Sequence, residues 1–325
     1  MKPTRRTSAP DPAPGMAMVR ALRANPDDAA VASALVKALA HPSAVVVTMA
    51  ADLAGERELS ALTPELVAAL ARLYENATEA DPTCAGKIAC ATALDTLNYT
   101  DKAPFLHGAF FIQMQPAWGG PVDVATGLRV RCILALARFG GLDVLMVLAE
   151  ALSDEHEAVR GAAAQSLAFC GEPAGAAMAL QKIRAGDKDP AVTADALGAL
   201  ITLRPVDGLQ RAGTLLQSRT PGLRPFVRLI LGQSRLPDAL PLLTRELTGL
   251  VNPAERREAF VAIGLLRTAN SVAFLLDCVR GSPIADASAA IAALATQSQA
   301  DAMRESIATA ANGRNLDATI REAFA

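Results

Sequence analysis

One apolar slot recurs along the C-terminal two thirds of this 325-residue chain, at Leu136, Leu167, Leu200, Leu231, Ile263, Leu294 and Phe324. The steps are 31, 33, 31, 32, 31 and 30 residues. Self-similarity at such a period is the signature of a repeat architecture, and it restricts the fold more than any motif does. Ahead of each slot, small and apolar residues fall at helical spacing, as in Val192, Ala196, Leu197 and Leu200, or Ala259, Phe260 and Ile263. Between these stretches lies a second helical pattern, as in GLDVLMVLAEAL, DALPLLTRELTGL and NSVAFLLDCVRGS, each bounded by Gly, Pro, Asp or Asn turn signals. Each period therefore reads as helix, tight turn, helix. One such hairpin cannot bury its apolar face, whereas a stack of them forms a continuous core and a solenoid.

Composition agrees with the array. Hydrophobic residues make up 51% of the chain and aromatics only 4%, so the apolar content is mainly Ala, Leu and Val, which lets helices pack closely and repetitively. With 31 basic and 33 acidic residues the net charge is −2, so any attraction to a polyanion must be local. The five cysteines (Cys84, Cys90, Cys132, Cys170 and Cys278) have no CxxC or Cys/His spacing and read as buried helix residues in a reducing compartment. No metal or cofactor is expected. The start, MKPTRRTSAPDPAPG, lacks an apolar stretch behind its basic residues, so neither a signal peptide nor a membrane anchor is expected and the predicted location is cytoplasmic. Its prolines predict a disordered lead-in over 1–24.

The clearest unit is DEHEAVRGAAAQSLAFCG, Asp154 to Gly171. Its Val159, Arg160, Ala162, Ala163, Leu167 and Gly171, with Asp154 in the turn, resemble the consensus of bacterial HEAT-like repeats of the kind first noted in phycobilisome lyases. The resemblance extends to the units ending near Gly140, Leu203, Arg235 and Arg267. It departs at Val192-Thr193 and Asp286-Ala287, which stand where that family has Val-Arg. It implies an all-α, right-handed superhelical HEAT-like solenoid of about eight antiparallel helix pairs. The predicted organisation is a single repeat domain over 25–325, with irregular repeats at 25–98, a pair with an enlarged loop at 99–140 and regular repeats at 141–325. In such repeats an arginine early in the second helix, here Arg129, Arg160, Arg224 and Arg256, resembles the one that bonds turn aspartates of adjacent units, Asp154 or Asp189 in this chain.

Helices are predicted over Pro26 to Ala40, Ser43 to Ala54, Pro64 to Asn76, Cys84 to Leu97, Pro104 to Gln113 and Val124 to Phe139, with Pro26 and Pro64 in the first turn. From Leu94 to Leu136 the step is 42 residues, and the surplus holds QMQPAWGG, with the only tryptophan. Gly119-Gly120-Pro121 forbids helix there, so Met114 to Asp123 is predicted as a long irregular loop. Five of the twelve aromatics fall between Tyr99 and Trp118. Two readings compete: a lid folded over its own helix pair with Trp118 partly buried, or a partner-binding anchor of Trp118, Phe111, His107, Gln113 and Gln115.

Residues 204–267 hold ten Arg, no Lys and five acidic residues. Arg204, Arg235 and Arg267 occupy equivalent positions at helix C-terminal ends, and Arg224 with Arg228 extends the set. They are candidates either for anion binding or simply for capping helix carbonyls. Catalytic fingerprints are absent: no Walker A loop, no G-x-S-x-G, no H-E-x-x-H. The deoxyhypusine hydroxylases of this repeat class use several His-Glu pairs, and this chain has one, His156-Glu157. The predicted function is a non-enzymatic scaffold or adaptor for an unidentified protein partner. The alternative is a nucleic-acid-binding HEAT-like protein, of base-excision type, that uses the arginines.

Overall fold

In the computed structural model, which describes residues 11–171, 173–296 and 300–324, the chain forms twenty α-helices and one two-stranded hairpin among the described residues. Two compact units meet between Ser166 and Leu167, inside the helix α10 (Glu157–Phe169). Each repeat packs only on its neighbours, so few contacts span the length of such a chain.

The first unit contains α1 (Ala13–Leu22), α2 (Asp28–Leu39), α3 (Ala44–Glu56), α4 (Thr63–Tyr74), the short α5 (Ala77–Ala80), α6 (Ala85–Thr96), α7 (Ala103–Ala109), α8 (Thr126–Leu136) and α9 (Gly141–Ala151). Here α3 packs on α6 and α6 on α8, while α2 packs on α4 and α7 on α9. The second unit runs through α11 (Pro173–Ala185), α12 (Pro190–Leu203), α13 (Pro205–Leu215), α14 (Leu223–Ser234), α15 (Ala239–Gly249), α16 (Pro253–Leu266), α17 (Ala269–Gly281), α18 (Ile284–Ala295), α19 (Ala300–Ala310) and α20 (Asp317–Ala323). There α12 packs on α14, α14 on α16, α16 on α18 and α18 on α20, as stacked helical hairpins require.

The periodic slot is the core of both units. Leu136, Leu167, Leu200, Leu231, Ile263 and Leu294 are all buried, and Phe324 at the end is half-buried. The residue after the slot sets how closely neighbouring helices approach. A Cβ on Gly232 would lie 2.4 Å from the carbonyl oxygen of Ala262, and one on Gly264 would lie 2.9 Å from that of Ala293. Only glycine lets the backbones of α14, α16 and α18 meet this closely.

Three expectations need correction. Within the lead-in predicted to be disordered to residue 24, residues 13–22 are helical: Pro14 sits in the first turn, where a missing N–H costs nothing, and Val19 is buried as α1 packs on α3. Residues 1–10 of that segment lie outside the described residues. Pro26 precedes its helix instead of opening it, because Asp27 caps α2 by accepting from the amides of Ala29 and Ala30. The loop over Met114 to Asp123 is not wholly irregular. Its ends form β1 (Met114–Gln115) and β2 (Val122–Asp123), antiparallel, with Met114 opposite Asp123 and Gln115 opposite Val122.

Candidate functional site

The helix predicted to reach Gln113 stops at Ala109, after which Phe110 turns the chain at φ −116° and ψ 3°. From Phe110 to Gln115 exposure then alternates strictly. Phe110, Ile112 and Met114 are exposed, whereas Phe111 and Gln115 are half-buried and Gln113 is buried. The pattern is inverted relative to an ordinary surface strand, since the apolar side chains face water and the amides face the protein.

Each inward residue has a partner that accounts for its direction. Gln113 donates through Nε2 to the carbonyls of Asp81 (2.8 Å) and Pro82 (3.3 Å), and Gln115 donates to the carbonyl of Thr78 at 3.0 Å. Phe111 stacks edge-on against Tyr74, with centroids 4.8 Å apart, and the Lys87 ammonium lies 5.8 Å from its ring centre. The second strand is tied down through Asp123, which accepts from the amides of Gln113 (3.1 Å) and Ala125 (2.9 Å) and from Arg129 Nη1 (2.6 Å). Burial alone would raise the Asp123 carboxyl, but the Ala125 amide, the Arg129 guanidinium and the Gln113 amide together outweigh it and hold it below its ordinary 3.8.

Arg129 is the hub of this anchorage. Besides Asp123 it donates to the carbonyl of Phe111 at 2.9 Å, and its Nε lies 3.1 Å from Asp154 Oδ2 in the following repeat. The link to a turn aspartate that the resemblance implied is therefore present as an ion pair. Arg256 meets a helical aspartate of the next unit, Asp286 in the first turn of α18, at 2.6 and 2.9 Å. Arg160 bonds the carbonyls of Asp154 and Glu155, Arg224 turns to Glu246, and Asp189 caps α12.

Trp118 stands at the hairpin tip, beside Gly119 and Gly120 at φ 98° and 125°, and is fully exposed at 104% of its reference area. The partial burial expected of a lid does not occur, because the pinned strands carry the tip away from the helix pair. Of the five residues predicted as an anchor, Trp118 and His107 are exposed, and the His107 ring packs edge-on to Tyr74 at 4.4 Å. Phe111, Gln113 and Gln115 instead hold the hairpin in place. Sequence reasoning missed the exposed set of Phe110, Ile112, Met114 and Val122. The signal was the period-two alternation across residues 110–115.

The arginines of the second unit divide by partner. Arg204 bonds Asp207 at 2.9 Å, and Arg224 lies 3.3 Å from Glu246. Arg228 is buried between Glu246 (3.1 Å) and Glu258 (2.6 Å). Arg235 and Arg267 are exposed, end α14 and α16 in the left-handed conformation at φ 54° and 53°, and donate their own amides to Gly232 and Gly264. The three equivalent positions share one backbone role, since Arg204 likewise ends α12 and donates its amide to Leu200, whereas Arg224 is paired with Glu246 and Arg228 is in the core.

Burial pushes the thiols of Cys84, Cys90 and Cys132 up to about 12. At about pH 8, near the ordinary thiol range, a disulfide reagent is expected to leave these three unmodified in the native protein and to titrate them only after unfolding. Rapid native labelling of any of them would contradict the packing described. No group of three His, Cys, Asp or Glu side chains gathers at metal-binding distance among the described residues, and none of the described helices is long and apolar enough to cross a membrane.

Residues 126–201 match the family model of HEAT repeats. None of the curated proteins matches it. Among solved structures it is similar to the complex of CpcE and CpcF of phycocyanin lyase from Nostoc sp. PCC7120, at 16% identity and TM-score 0.37, covering 86% of this chain and 94% of that one. It is also similar to an engineered protein, at 14% identity and TM-score 0.37, covering 98% and 95%.

Proposed function

We propose that this chain is a non-enzymatic protein-binding scaffold and that the Trp118 hairpin is its docking point. The observation that carries the reading is the inverted alternation of Phe110–Gln115. Leaving Phe110, Ile112, Met114, Val122 and Trp118 in water, while amides and a carboxylate are spent on anchorage, has no folding benefit for the free chain. It suits a surface that a partner covers. Anchorage of both strands means that little loop entropy is lost on binding, which favours affinity. Free thiols at Cys84, Cys90, Cys132 and Cys278 support a reducing, cytoplasmic setting.

Trp118→Ala is expected to leave the melting temperature of the free protein unchanged, because the indole buries no surface against its own chain. The same change should weaken partner capture by about 2 kcal/mol or more. Capture from a lysate of the native organism, quantified by mass spectrometry for wild type and variant side by side, measures this. Tryptophan emission should be red-shifted and fully quenched by iodide in the free protein, then protected when the captured partner is added back. An identical set of captured proteins for both forms would overturn the proposal.

A further inference from the structure

We propose that the cleft between α13 and α15 in the second unit binds a small phosphorylated molecule. This site is independent of the hairpin. The cleft has a volume of about 740 Å³, within the range of small-molecule sites. Its walls carry Arg219, Arg224 and Arg245. Guanidinium is the side chain whose fork of donors matches phosphate oxygens.

The electrostatics decide the sign of the ligand. Glu246 is the only carboxylate lining the cleft. It is 6% exposed and already held by Arg224 and by Arg228 behind it, so little of its charge faces the opening. Arg219 and Arg245 are exposed, and neither has a carboxylate partner among the described residues. The C-terminal halves of α13 and α15 border the cleft, and each helix end contributes about half a negative charge. Three guanidiniums exceed the one carboxylate and these two half-charges, which leaves the cleft positive by about one charge. Such a balance selects a compact anion over a long polyanion. Arg204, Arg228 and Arg256 do not extend it, because they are taken by Asp207, Glu246 with Glu258, and Asp286. Leu216 and Leu242 supply an apolar wall for the uncharged part of the ligand.

Calorimetric titration of the full chain with inorganic pyrophosphate tests the site. Saturable binding is expected, and the double variant Arg219→Gln/Arg245→Gln should weaken it about tenfold or more, since each lost charge-assisted bond is worth more than a neutral one. Both side chains are exposed, so the melting temperature should not change and misfolding is separable from loss of binding. Arg235→Gln/Arg267→Gln, which removes two exposed arginines outside the cleft, should bind pyrophosphate as wild type does. The proposal is overturned by an absence of saturable heat up to about 5 mM pyrophosphate, or by equal losses in the two double variants. It is equally overturned if duplex DNA binds tightly at low salt while pyrophosphate does not, because the arginines would then serve a nucleic acid.

Discussion

Lys87→Met is expected to destabilise the protein by about 3–5 kcal/mol, because it removes one half of a fully buried ion pair and leaves the other half without compensation. Lys87 and Asp81 are 0% and 1% exposed at the side chain, with Nζ 3.2 Å from Oδ2. The Asp81 carboxylate also accepts from the amides of Gly86 and Lys87 at the start of α6, and its own carbonyl accepts from Gln113. Losing the ammonium would therefore loosen both the first turn of α6 and the inner side of the hairpin. In a unit of this size the loss corresponds to a fall of about 10 °C in melting temperature. The double variant Asp81→Asn/Lys87→Met should recover much of it, since the neutral amide oxygen still accepts from the helix start and no buried charge remains. Thermal melts of the two variants check this. A single variant that melts within about 2 °C of wild type would mean that water reaches Asp81 in solution.

Arg228→Met is expected to cost about 3 kcal/mol, the lower end of the range for breaking a buried pair. Arg228 is 1% exposed and bridges Glu246 on α15 to Glu258 on α16. Without it Glu246, 6% exposed, keeps only Arg224 at 3.3 Å, and that residual partner is why the cost is below the maximum. Glu258 contributes little to the loss because its side chain is half exposed and water can solvate it. Urea unfolding should show a lower midpoint with an unchanged slope. Adding Glu246→Gln to the variant should restore part of the stability, and further destabilisation by that second change would contradict the charge argument.

The repeat architecture was legible from residue spacing because helix period and repeat pitch are local properties of the chain. Every slot residue from Leu136 to Leu294 is buried as the spacing required. The ion pair between Arg129 and the turn residue Asp154 also follows the repeat, as the resemblance implied. Helix ends were less legible. Asp27 displaced Pro26 from the first turn through side-chain bonds to two amides, a competition that proline position alone does not reveal.

The sequence by itself determined that the chain is a stack of helix pairs, which positions form the core, and that the stretch around Trp118 leaves the helical pattern. Only the tertiary structure decided which way that stretch faces and which arginines are free. Gln113 and Gln115 turn inward because they meet carbonyls 32 and 37 residues earlier, at Asp81 and Thr78, and Trp118 is carried outward as a consequence. Arg228 is in the core because Glu246 and Glu258, 18 and 30 residues later, close over it, while Arg219 and Arg245 meet no such partner. A periodic apolar pattern specifies burial position by position, because hydrophobic attraction does not depend on direction. Hydrogen bonds and ion pairs do, so their partners are chosen only when distant segments come together.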